Sequence, residues 1–427
     1  MRGLTLSLPV PRYYGWWIVL VSAGITCLSS AFSFWSFGIY IGPLEEEFGW
    51  SRAELSGAVS LMWLVTGLSG PLVGWWVDRR GARSAMLAGA VLQALTFFLL
   101  AGVNRLWQFY ALYLAGSFFR SSIWPVPLNA LLSRWFTWRR PQALGLAHAG
   151  FGLGGFIFIP IITYIVEEWG WRQAFLFSGV VQLAYLLPVL LLVVKDGPEA
   201  VGQEEPPADQ RLERLHRQTV GPSLTLREAL RTPTFWLIAV GVGLMQAGMV
   251  AFFVHAVPFF RSEGFSPKGA ALVVSAITGL YAAVRATAGP FINRVPPPAL
   301  AVGTSVALAL GYLLLVTSTT PLALALFVPL WASAQANGPL IDPLLVGYFY
   351  GTAHFGVILG ALGVIIYVGF AVGPWLAGLL YDVRGSYDLA FTILALCFLA
   401  SALMYGLAYW TGRLGRTTAV ARQAEGG

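Results

Sequence analysis

Gly74-Trp75-Trp76-Val77-Asp78-Arg79-Arg80-Gly81-Ala82-Arg83 is a short polar knot between two long apolar runs, roughly 54–77 and 84–103. Four of the six residues from Asp78 to Arg83 are charged. Each flanking run has the roughly 20 apolar residues that one helix needs to cross a bilayer. The knot therefore reads as a tight turn between two membrane-spanning helices, with its arginines held at one membrane face. Gly81 supplies the backbone freedom for the turn.

Working outward, the same alternation repeats along the chain. Twelve apolar runs fall at about 13–43, 54–77, 84–103, 106–132, 141–166, 170–194, 233–260, 268–293, 299–317, 321–345, 354–380 and 386–410. Composition agrees: 57% of the 427 residues are hydrophobic and 11% are charged, where a soluble domain has about 25% charged. So few charges cannot cover a soluble surface. A cytosolic enzyme, a secreted disulfide scaffold and a disordered chain are excluded. The 17 Trp, 16 Tyr and 48 Gly suit a helical membrane protein, with aromatics at interfaces and glycines at close helix contacts. Cys27 and Cys397 lie inside apolar runs and read as small buried residues. The first apolar run is too long for a cleavable signal. No metal spacing, cofactor motif or nucleic-acid footprint accompanies the net charge of +7, so none of these partners is expected.

Connections are short except Lys195–Arg231, which holds seven acids and divides the runs six and six. The expected organisation is a first six-helix bundle over 1–194, a linker over 195–231, a second bundle over 232–410 and a tail over 411–427. With the amino terminus inside, the inner loops carry 18 Lys and Arg and the outer loops six. The positive-inside rule then places both termini in the cytoplasm. Two repeated halves are the layout that puts a substrate site near the midplane between them.

The 74–83 knot resembles the signature loop of the major facilitator superfamily: Gly, three residues, Asp, a basic residue, any residue, Gly, any residue, basic. That resemblance implies an all-α fold of twelve helices in two bundles. It also implies that Gly74, Asp78, Arg79, Gly81 and Arg83 steady one end state of a rocking motion. The counterpart in the second half, Gly289-Pro-Phe-Ile-Asn293-Arg294, is degenerate. A second segment, Trp135-Phe136-Thr-Trp-Arg139-Arg140-Pro-Gln-Ala143-Leu-Gly145-Leu-Ala147-His148-Ala149-Gly150-Phe-Gly-Leu-Gly154, looks like a signature of monocarboxylate transporters. Tyr13-Tyr14-Gly15-Trp16-Trp17 resembles the bacterial form of that family's other signature. The sequence departs from the pattern at Trp135, Trp138 and Gln142. The small residues after Arg140 also serve helix packing.

Ionisable groups in lipid face a partner or a wet cavity. Arg285 stands one turn from the middle of its run, on one face with Tyr281 and Thr278. A guanidinium there can hold a carboxylate through two parallel bonds. The resemblance adds that relatives use an arginine at this place for the substrate carboxylate; many have an acid where this chain has Tyr281. Arg120 shares a face with Tyr113, Ser117 and Trp124. It is a second anion ligand or gate, or a structural ion-pair member. Ser22, Thr26, Ser29, Ser33, Ser36 and Tyr40 recur every three or four residues in the first run. They read as a wet cavity wall or as packing hydroxyls. Tyr367 is the cavity-facing candidate of the eleventh run.

Asp342, on a stripe with Trp331, Gln335 and Gly338, is a proton carrier or a gate charge. His148 and His255 either titrate or are satisfied buried histidines; His148 is the better proton candidate. The expected function is secondary transport of a small monocarboxylate such as lactate or pyruvate. It is expected to be proton-coupled, to work by alternating access, and to act as a monomer in a bacterial inner membrane. Carboxylate exchange of the oxalate–formate type, or less strongly efflux of drugs or metabolites, are the alternatives. No ATP-binding loop points to primary pumping.

Overall fold

The computed structural model describes residues 13–205, 224–287, 295–351 and 354–425, with side chains as far as Gly412. The degenerate loop at 289–294, Arg2, Arg12 and the middle of the linker lie outside these. Among the described residues every regular element is helical. The helices are α1 (Gly15–Ser30), α2 (Phe37–Phe48), α3 (Arg52–Arg80), α4 (Ala82–Leu100), α5 (Leu106–Ser121), α6 (Val126–Trp135), α7 (Arg140–Trp169), α8 (Trp171–Pro188), α9 (Leu226–Leu230), α10 (Pro233–Ser262), α11 (Pro267–Thr287), α12 (Pro297–Thr317), α13 (Pro321–Tyr350), α14 (Phe355–Arg384) and α15 (Asp388–Glu425).

Among the described residues, eleven helical stretches are long and apolar enough to cross a membrane. The run expected at 106–132 is instead two helices, α5 and α6. Pro125 lacks an N–H and biases Trp124 away from the helical region, which breaks the run. The first run passes through a π-helical turn over Ala31–Trp35. There the Ser36 N–H reaches the Ala31 carbonyl at 3.1 Å. The last helix extends beyond the boundary expected at 410.

Turn chemistry fixes the helix starts. Ser51 accepts the Glu54 N–H while the Glu54 carboxylate accepts the Ser51 N–H at 2.9 Å, a reciprocal cap for α3. At the other end of α3, Gly81 takes φ +82°. Asp196 there accepts the Arg83 N–H at 3.0 Å. The Arg83 guanidinium donates to the Leu190 and Leu191 carbonyls, both at 2.6 Å, in the π-helical turn Val189–Val193 that continues α8. Arg83 thus ties α4 to α8, whereas Asp78, Arg79 and Arg80 are exposed.

The two segments that carried the narrower resemblance meet in space. The Tyr13 hydroxyl donates to the Trp135 carbonyl, and its ring stands edge-on to Phe136 at 5.5 Å. Trp135 Nε1 donates to the Lys195 carbonyl at 2.8 Å. Glu205 accepts the Trp138 and Arg139 N–H groups at 3.0 and 3.1 Å, where a carboxylate complements the start of α7. The beginning of the linker is therefore strapped beneath α1–α8.

Candidate substrate site between the two halves

Helices α1–α8 meet helices α10–α15 along three packed pairs: α3 with α14, α7 with α11, and α2 with α10. Small residues permit the approach. A Cβ on Gly378 would lie 2.7 Å from the Arg52 carbonyl oxygen, and one on Gly38 would lie 2.6 Å from that of Val254. A Cβ on Gly152 would meet the Tyr281 ring at 2.5 Å. On Gly74, at the far end of α3, it would meet nothing within 4 Å. Contacts between the halves gather at the Arg52 end. The pair α3–α14 is closed there, whereas toward its other end a Cβ on Gly70 or Gly74 of α3, or on Gly360 or Gly363 of α14, would meet nothing within 4 Å.

The closed end is polar. Asp382 of α14 accepts the Arg52 and Ala53 N–H groups at 3.1 and 2.8 Å. The Arg52 guanidinium donates to the Tyr387 hydroxyl at 2.8 Å, pairs with Glu45 at 3.2 Å and lies 3.7 Å from the centre of the Tyr381 ring. His255 is fully buried. Its Nε2 lies 2.9 Å from the Pro374 carbonyl and 3.1 Å from Ser56 Oγ. Its Nδ1 lies 3.0 Å from the Tyr387 hydroxyl. A carbonyl only accepts, so Nε2 carries the proton and Nδ1 accepts from Tyr387.

Below this lock the seam is aromatic. Phe34 meets Phe253 at 5.1 Å, Trp63 meets Phe370 at 4.6 Å, and Phe151 meets Tyr281 at 6.2 Å, each pair joining opposite halves. Trp124 stacks on Phe151 at 5.9 Å. The break between α5 and α6 places this indole in the seam.

Two arginines stand among the rings. Arg120 is 4% exposed. It donates to Thr66 Oγ1 at 2.7 Å and lies 5.2 Å from the Trp63 ring and 5.9 Å from that of Trp124. Its Nε has no acceptor. Tyr367 of the opposite half lies within electrostatic range of it. Arg285 is half-buried and donates to the Ala336 carbonyl at 3.1 Å. His148 lies within electrostatic range of Arg285, 6.1 Å from Trp124 between ring centres, and bonded to Asn129 at 2.9 Å. Among the described residues neither arginine has a carboxylate partner; the ion pairs fall at Arg52, Arg134, Arg172 and Lys268.

Tertiary structure thus brings together Arg285, Tyr281, Trp124, Arg120, Tyr367 and His148. It sets others apart. Thr278 is fully buried, bonds the Ser275 carbonyl at 2.9 Å and packs against Gly155 in the α7–α11 seam. The stripe of the first run is buried except at Ser33, which is half-buried. Ser29 is 2% exposed, Tyr40 stacks on Phe175 of α8 at 4.3 Å, and Ser33 accepts from Gln93 of α4 at 3.4 Å. Thr26 and Ser36 donate to the Ser22 and Ala31 carbonyls at 2.9 and 2.7 Å, whereas Ser22 Oγ and Ser29 Oγ are buried without a partner among the described residues. Ser33 borders a small cleft of about 20 Å³, shared with Gln93, Ser117 and Arg120. Asp342 lies inside the second half, 6% exposed, with Oδ2 accepting from Gln246 of α10 at 3.4 Å and Oδ1 without a partner.

Sequence reasoning missed Trp63, Thr66 and Phe151, which carry no periodic signal of their own. It also missed Asp382, for which a signal existed. Gly378-Leu379-Leu380-Tyr381-Asp382-Val383-Arg384-Gly385 repeats the Gly, three residues, Asp, any residue, Arg, Gly spacing of Gly74 to Gly81, at the opposite end of the α3–α14 pair.

Two helical halves around a seam lined by arginines and aromatic rings define a secondary transporter rather than an enzyme. The sequence model of the Major Facilitator Superfamily matches residues 23–346, and the chain belongs to that family as a multi-pass integral membrane protein. Distant homologues include monocarboxylate transporter 11 of Mus musculus, 28% identical over 92% of this chain and 87% of that one. The oxalate:formate antiporter of Oxalobacter formigenes is 23% identical over 91% and 90%. Among solved structures, a mutant of the nucleoside transporter NupG superposes with TM-score 0.72 at 13% identity, covering 93% of this chain and 100% of that one. A bacterial homologue of the human lysosomal transporter Spinster, inward-facing and occupied, gives 0.67 at 14% identity, covering 95% and 97%. These structures share the fold.

Proposed function

We propose that the protein moves small organic monocarboxylates, of which lactate and pyruvate are the simplest, together with a proton and by alternating access. The observation that carries this is Arg285: a half-buried guanidinium with one backbone acceptor and no carboxylate partner among the described residues. A cation taken out of bulk water needs an anion, and a planar fork suits a carboxylate. The similarity to monocarboxylate transporters supports the same reading. Tyr281, Trp124 and Tyr367 shape the pocket. Arg120 is a second anion ligand or a gate. Asp342 and His148 are the candidates for the proton. The Gly74–Asp78 end faces the cytoplasm of a bacterial cell, with both termini on that side and the chain acting as a monomer.

Uptake into proteoliposomes tests this. A radiolabelled monocarboxylate should accumulate when an inward proton gradient is imposed, and Arg285→Lys, which keeps the charge but loses the fork, should abolish accumulation. Undiminished transport by Arg285→Lys removes Arg285 from the role.

Two uncompensated arginines, one from each half, favour a second reading, exchange of one carboxylate for another. Similarity to the oxalate:formate antiporter agrees with it. Uptake that ignores the proton gradient but requires internal carboxylate would select exchange.

A further inference from the structure

Three of the polar atoms left over around Arg120 are donors, and Gln93 Oε1 of the neighbouring cleft is a single unpartnered acceptor. Arg120 Nε, Trp63 Nε1 and Trp124 Nε1 are buried without an acceptor, and most of the Arg285 fork is uncommitted. A buried donor without an acceptor costs about 1–3 kcal/mol, so the set calls for an acceptor-rich anion. The walls between these donors are flat and apolar. Trp124, Phe151, Tyr367 and Phe370 are half-buried rather than sealed. Trp124 lies 5.9 Å from Arg120 and 6.1 Å from His148, which is within electrostatic range of Arg285. Phe151 lies on it nearly parallel, at an interplanar angle of 27°. A two- or three-carbon acid would satisfy the donors and leave these ring faces uncovered.

We infer that the preferred substrate is a monocarboxylate with an aromatic or similarly large flat apolar body, its carboxylate on the arginines and its body against Trp124 and Phe151. This rests on the carboxylate reading of the same site and narrows it. Aromatic rings favour offset or edge contacts with a second ring beyond the area they bury. The buried indole N–H groups of Trp63 and Trp124 add donors for the acceptor atoms of such a substrate. A keto acid carrying a phenyl group has both parts.

The test uses the full chain in proteoliposomes with radiolabelled phenylpyruvate and lactate, and with 2-phenylethanol as an uncharged competitor. Phenylpyruvate should half-saturate uptake at about a tenfold or lower concentration than lactate, the size of effect expected from burying one ring. 2-Phenylethanol should compete weakly, since it lacks the anion. Trp124→Leu should narrow the ratio between the two acids. Trp124→Phe, which keeps a ring and loses the N–H, should preserve the ratio while weakening both, and matching melting curves would show that both variants fold. Lactate half-saturating at an equal or lower concentration than phenylpyruvate overturns this inference and leaves the carboxylate reading intact. Transport of neither acid by well-folded protein overturns both. Competition by 2-phenylethanol as strong as that by phenylpyruvate overturns the arginine-held anion.

Discussion

Asp382, at the end of α14, accepts the N–H of Arg52 at 3.1 Å as well as that of Ala53 at 2.8 Å, so a carboxylate of one half caps a helix of the other. The first N–H groups of any helix lack intrahelical partners, and negative charge is favoured there. Ser51 satisfies a third N–H of the same turn through Glu54. A cap supplied across the seam exists only while this end is closed. It therefore contributes to the balance between end states, in addition to the stability of either half.

Asp382→Asn removes the charge and should weaken the closed end by about 1 kcal/mol, roughly a fivefold shift in population. Spin labels at Asn104 and Glu263, both exposed at this end, should report a longer distance population in nanodiscs. An unchanged distance distribution would show that the cap does not hold the halves together.

Gly378→Ala and Gly74→Ala form a pair of opposite expectation. The first puts a methyl 2.7 Å from a carbonyl oxygen of the other half, backbone that cannot swing away, and should open the Arg52 end. The second meets nothing in this conformation and should leave the same label distance unchanged. Equal responses from the two variants would mean that the close approach at Gly378 relaxes without consequence.

His255→Ala leaves Ser56 Oγ, the Tyr387 hydroxyl and the Pro374 carbonyl short of a buried partner at once. A loss of about 1–3 kcal/mol should follow, read as a lower melting temperature in detergent. His255→Gln restores a donor and an acceptor and should recover part of it. A melting temperature equal to that of the parent for His255→Ala would refute the buried network.

Thr66→Val deletes the hydroxyl that accepts from the Arg120 guanidinium at 2.7 Å while keeping the side-chain volume. If Arg120 is a substrate ligand, the half-saturating concentration should rise severalfold, since a mobile guanidinium is a poorer clamp. If it is only a packing element, melting should fall while half-saturation stays put.

Asp342→Asn should abolish stimulation by a proton gradient and spare carboxylate exchange, if Asp342 carries the proton. Its Oδ1 has no partner to replace and its bond with Gln246 survives in the amide. Gradient-stimulated uptake of undiminished size would pass the role to His148.

The sequence by itself determined the class of protein. Apolar runs of bilayer length, scarce charge and the Gly74–Arg83 knot depend on local composition and spacing, which survive without any knowledge of packing. They missed the break at Trp124-Pro125, although proline there is a local signal. Arg285 was legible for a related reason: a charge within an apolar run needs an explanation wherever the helices go. The face of a polar stripe was not legible. Ser29 and Ser33 have the spacing of a cavity wall, yet whether such a face meets water or a neighbouring helix depends on how α1 is rotated against α4 and α8. Only tertiary structure decided that. It also decided which distant side chains share the seam. Trp63 and Phe370, or Asp382 and Arg52, are about 300 residues apart or more, and their contact follows from the α3–α14 crossing, in which small residues let two backbones approach.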